Sequence, residues 1–125
     1  MHDSDITRQD RWTLMSWLIK LHKGFKLRVE TLFVCIGIVD QYTARADVRK
    51  CEYQLVGLTA LFIASKYEEI EIPTIKMFTQ VTDKLFGKED IIREEGKILS
   101  TLGFRIVQNS IFWYCQCFLK HILIH

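Results

Sequence analysis

A chain of 125 residues with 49% hydrophobic content has material for one buried core but is short for two domains. Charged residues make up 26%, and 17 Lys and Arg face 15 Asp and Glu, which excludes the low-hydropathy, high-charge balance of a disordered chain and the excess base of a nucleic-acid binder. No run approaches the roughly 20 apolar residues of a membrane span.

One proline and six glycines leave few breaks, and apolar residues recur at steps of three and four, so the fold class is all-α. The first helix begins near Thr7, with Asp10 three residues on completing a capping box. Its apolar face is Leu14, Leu18, Leu21 and Phe25. A second helix is expected over 29–42, with Leu32, Phe33, Ile36 and Val39 inward, and Asp47 offers an N-cap for a third. That third helix carries no charge over 53–65, and its apolar residues point in every direction. A helix of that kind must be enclosed by others, so it is placed at the centre of a bundle. Pro73 suits the first turn of a short fourth helix to about Thr79. A fifth runs from Gly87 to Gly103 with a stripe of Ile91, Ile92, Ile98, Leu99 and Leu102, and Ser110 caps an apolar segment over 111–124.

Two charges break these stripes. Glu95 lies four residues after Ile91 and four before Leu99, and Lys66 lies four after Phe62. Charges in such places are costly unless paired, so the two are expected to meet across packed helices. Either the pair fixes helix register within the chain, or it faces a partner with hydrogen-bonding capacity left over. Spacing does not choose.

The run Leu55-Val56-Gly57 through Ala64-Ser65-Lys66-Tyr67-Glu68-Glu69, followed by Ile72-Pro73, resembles the cyclin box. The likeness extends to Arg11 and Trp17-Leu18, Glu30-Thr31-Leu32, Ile38-Val39-Asp40, Thr82-Asp83, the Glu95 region and Leu102-Gly103-Phe104. It covers 6–106, and its wording is most similar to mitotic, B-type cyclins. The resemblance implies a five-helix cyclin box over 6–106, with 110–125 beginning a second cyclin repeat that stops after its first helix. It also implies a non-catalytic regulatory subunit of a cyclin-dependent serine/threonine kinase, controlling mitotic progression in nucleus and cytoplasm. Lys66 and Glu95 would hold the kinase backbone around its regulatory helix, with Ile63, Tyr67, Leu99, Phe104 and Ile106 supplying apolar contact. Arg11 and Asp40 match a structural ion pair. No cofactor, metal or nucleic acid is implied.

The departures have consequences of their own. The positions of a substrate-docking groove are Asp10, Thr13, Leu14, Trp17, Lys20, Tyr53 and Gln54; Lys20 would repel an arginine-bearing peptide, so docking is expected to be weak or differently specified. Ser16 replaces an aspartate before the tryptophan. Gly96 costs about 1 kcal/mol of helix stability relative to alanine and removes a side chain from the expected kinase surface. Few residues precede the first helix, so no upstream destruction signal is expected.

The other signals are weak. Four cysteines without paired zinc spacing or a preceding signal peptide fit a reducing compartment. Cys117 and His121, with Cys115 nearby, make at most half a metal site. Glu68, Glu69 and Glu71 read as a solvated helix end, and no catalytic constellation emerges. The competing readings are a cyclin-fold transcription adaptor, which a basic stripe would favour, and a truncated, inactive cyclin or surface-bound protein using its apolar C-terminal helix.

Overall fold

The computed structural model describes residues 6–103. Five helices follow one another: α1 (Arg8–Gly24), α2 (Val29–Arg45), α3 (Lys50–Glu68), α4 (Ile75–Gln80) and α5 (Lys88–Thr101). The described residues form no strand.

The capping box opens α1 as expected. The Thr7 hydroxyl accepts from the Asp10 amide at 3.1 Å, and the Asp10 carboxylate accepts from the Thr7 amide at 2.9 Å. Leu14, Met15, Leu18 and His22 are buried, while Leu21 and Phe25 pack half-buried at the edge of the core. On α2 the inward set is Thr31, Leu32, Val34, Cys35, Ile38, Val39 and Tyr42. Phe33 and Ile36, expected inward, are only half-buried: α2 packs against α1, α3 and α5 at once, and its inner face turns toward Val34 and Ile38. The helix also runs a turn further than expected, to Arg45. Thr43 returns its hydroxyl to the carbonyls of Val39 and Asp40 at 2.9 and 3.1 Å, so a polar side chain is satisfied inside the helix.

Asp47 does not cap the third helix, which starts later than expected, at Lys50. Arg49 holds the N-cap position of α3 in extended backbone, without a side-chain hydrogen bond. The centre of α3 matches its charge-free sequence: every residue from Val56 to Ser65 is buried, and α3 touches all four other helices. At Gly57 the approach of α1 is close enough that a Cβ would stand 2.7 Å from Leu14 Cδ1.

The acidic end of α3 is not simply solvated. Glu69 crosses to the start of α2, accepting from the Arg28 amide at 2.7 Å and from the Thr31 hydroxyl. A carboxylate from a distant segment thus serves the N-terminus of α2, which lacks a side-chain cap of its own.

Pro73 is buried but stands outside α4, because the Thr74 hydroxyl caps the helix at the Met77 amide and α4 begins after it. Gly103, at φ 66°, occupies the left-handed position beyond α5. The buried row of α5 is Ile91, Glu94, Ile98 and Leu102, at steps of three, four and four. Ile92 is 48% exposed, so the carboxylate lying within the stripe is Glu94, at 4% exposure, and Glu95 is on its shoulder.

Burial raises the Glu94 pKa above the ordinary glutamate value, with Glu52 pushing the same way and Lys97, 3.9 Å distant, opposing. A raised carboxyl pKa favours the folded state most below the unfolded value. That contribution is lost as pH rises through the folded pKa. Glu94→Gln should therefore melt at a higher temperature than the parent chain at pH 7, with the gap closing on acidification. Thermal melts of both proteins from pH 7 downward check it; a gap that widens on acidification contradicts the assignment.

Candidate functional site

Lys66 sits in the last turn of α3, four residues beyond Phe62. The nearly buried Phe62 ring supports the ammonium, 4.4 Å from its centroid. From there Nζ donates to Glu95 Oε2 on α5. The two stripe-breaking charges therefore meet, joining α3 to α5. The side chains are 41% and 17% exposed, so the pair lies at the bundle surface with an apolar base beneath it. Among the described residues this is the one hydrogen bond shown for an ammonium with three donors.

Tyr67, 53% exposed, stands beside the pair, and Leu99 is half-buried one turn after Glu95. Ile63 does not join them at the surface. At 2% exposure it belongs to the core, and a side chain already enclosed has no area left to give a partner; it supports the face from behind. Phe104 and Ile106 lie outside the described residues, as does the segment 110–125. Sequence reasoning missed Ile92, which shares this face. Phasing the α5 stripe on Glu94 instead of Glu95 would have found it.

The Arg11 guanidinium makes a two-pronged contact with Asp40, Nε to Oδ1 at 3.1 Å and Nη2 to Oδ2 at 2.8 Å, tying α1 to α2. The aspartate holds the Arg11 pKa above its ordinary value. At 50% and 45% exposure the pair orients the helices more than it stabilises them.

A groove of about 350 Å³ runs between α1 and the start of α3, lined by Asp10, Thr13, Leu14, Trp17, Lys50, Tyr53 and Gln54. Lys20 is not part of it. The α1 wall ends at Trp17, and Lys20, a turn further on, projects into solvent. The groove's cation is Lys50, 3.5 Å from Asp10, so an acid and a base share one end over a floor that includes the buried Tyr53. Thr7 and Lys50 hold the Asp10 carboxyl below its usual range.

The family description "Cyclin, N-terminal domain" fits residues 1–107. The chain belongs to the cyclin family. It is 36% identical over 116 residues to the G2/mitotic-specific cyclin-A of Patella vulgata, covering 93% of this chain and 27% of the limpet protein. It is 35% identical over 120 residues to cyclin-B2-1 of Arabidopsis thaliana, covering 96% and 28%. With the G2/mitotic-specific cyclin-3 of Saccharomyces cerevisiae it shares 42% over 96 residues, 77% of this chain and 22% of the yeast cyclin. The likeness is thus to A-type and B-type mitotic cyclins alike, and the chain spans about a quarter of the length of these relatives. A viral cyclin from herpesvirus saimiri superposes with a TM-score of 0.75 at 24% identity, over 79% of this chain and 43% of the viral one, which establishes the shared fold. No helix among the described residues is long and apolar enough to cross a membrane.

Proposed function

We propose that this cyclin binds and activates a cyclin-dependent serine/threonine kinase in mitotic control, acting as a regulatory subunit without chemistry of its own. The observation that carries this reading is the Lys66–Glu95 pair: a cation and an anion from different helices, joined at the surface beside exposed Tyr67 and half-buried Leu99. Such a pair, half-satisfied and set among apolar side chains, offers directional hydrogen bonds to another chain's backbone and apolar area around them. Phe104 and Ile106 are assigned to the same interface by the cyclin resemblance of the sequence alone, as is the start of a second cyclin repeat over 110–125.

Activation follows from differential binding. The face grips the kinase's regulatory helix in its inward position better than in its outward one, and the equilibrium shifts by that difference. The inward position lets the kinase pair its glutamate with the lysine that holds the ATP phosphates. Substrates dock weakly at the α1–α3 groove, where Asp10 already has a partner in Lys50. The complex works in nucleus and cytoplasm.

The test is direct. A recombinant mitotic cyclin-dependent kinase is titrated with this chain, and binding and phosphate transfer to a substrate are followed together. The expected result is a saturable complex whose formation tracks the rise in kinase activity. No complex, or a complex without activation, refutes the proposal in its binding or its activating half.

A further inference from the structure

Gly96 has no explanation among the described residues. It lies inside α5 with helical backbone, not at a turn or a left-handed position, and it is exposed. A Cβ built there meets nothing within 4 Å among the described residues, so none of the other four helices requires its absence. Yet a mid-helix glycine gives up about 1 kcal/mol relative to alanine. Gly57 shows the contrast: there a Cβ would stand 2.7 Å from Leu14 Cδ1, and Leu14 would have to shift to admit it.

The neighbours of Gly96 supply the missing reason. Ile92, Glu95, Gly96 and Leu99 stand at i, i+3, i+4 and i+7, the four positions that frame the hole for one side chain of a facing helix. They occupy a sector of about 100° on α5, beside the buried row of Ile91, Glu94 and Ile98. Ile92 is 48% exposed and Leu99 half-buried, so the hole has apolar walls above and below. Glu95, held by Lys66, forms its inner wall, and the fourth wall is open because residue 96 has no side chain.

We infer that Gly96 is a specificity-determining position, a notch that admits a large apolar side chain from the helix of the partner kinase and sets how closely that helix approaches α5. The inference rests on the kinase-docking reading and adds the size of the group received. A glycine in the hole deepens it by a side chain's depth, so a bulky aliphatic or aromatic knob fits where a small one would leave a void. The chain gives up helix stability at this site and recovers it only in the complex. Stability and affinity are therefore set against each other at one residue.

The opposition makes the test sharp. Gly96→Ala should melt higher than the parent chain, by about 4 °C or more. It should nonetheless bind the recombinant mitotic kinase about tenfold more weakly, and Gly96→Leu should bind more weakly still. Arg93→Gly, on another exposed side of α5, should lower the melting temperature and leave affinity unchanged. Equal or tighter binding by Gly96→Ala overturns the inference, and so does a lower melting temperature, which would reveal an intrachain need for the glycine. If Lys66→Ala abolishes binding while Gly96→Ala does not, the docking reading stands and the notch alone falls.

Discussion

Replacing either Lys66 or Glu95 with alanine should leave the fold standing and cost about 3–5 kcal/mol of kinase binding. The two halves of that statement rest on different environments. In the free chain the pair is reached by solvent, with Lys66 41% exposed, so its loss should change unfolding by about 1 kcal/mol or less. Once a kinase covers the face, water is excluded, and removing one partner strands the other as a buried, uncompensated charge. A double variant should then bind no worse than the weaker single one, because the stranded charge has gone with its partner. Calorimetric titration of the kinase with the three variants, beside urea melts of the free proteins, reads both halves. Equal losses in stability and binding would make the pair a register device, and unaltered binding would remove it from the interface.

Much of this site was legible in the sequence because charge breaks hydrophobic periodicity in a way that few arrangements can satisfy. Lys66 at the end of a charge-free run and Glu95 near an apolar row each required a partner, and the α3–α5 packing brings them together. The central position of α3 was equally readable, since an uncharged helix apolar on all sides has no stable place at a surface.

What escaped was phase. A stripe containing Ile91, Ile92, Ile98 and Leu99 is consistent with two rotations of α5 about 40° apart, and propensity does not separate them. The structure adopts the one that buries Glu94 and exposes Ile92, which moves an isoleucine from the core to the outer face. Helix limits were hidden for a related reason. The end of α2 depends on Thr43 finding carbonyls inside its own helix, and the start of α2 depends on Glu69, some 40 positions away in the chain. The groove's cation was misassigned because Lys20 shares the helix of Trp17, while Lys50 reaches the same space from another helix. Long-range partners of this kind leave no periodic trace.

The largest loss of fold stability should come from Phe78→Ala, about 3–5 kcal/mol, a large part of what a domain of this size possesses. Phe78 is fully buried and is the single buried residue of α4. Six residues cannot hold a helix by propensity alone, so α4 stays docked through this ring. On one side the ring meets Phe25 at the end of α1, with centroids 4.8 Å apart; on the other it meets Phe62 of α3 edge-on at 5.2 Å. Phe62 in turn carries the Lys66 ammonium on its face. Truncating Phe78 therefore opens a cavity beneath the ring on which the Lys66 ammonium rests. Two consequences separate this from a general loss of packing. Amide exchange should quicken first in α4, before the buried centre of α3, and kinase affinity should fall although residue 78 touches no partner. Phe78→Leu, which refills most of the volume without an aromatic edge, should regain most of the stability but only part of the affinity. Uniform exchange across all five helices, or full affinity at a temperature where Phe78→Ala is folded, would disconnect the aromatic stack from the proposed docking face.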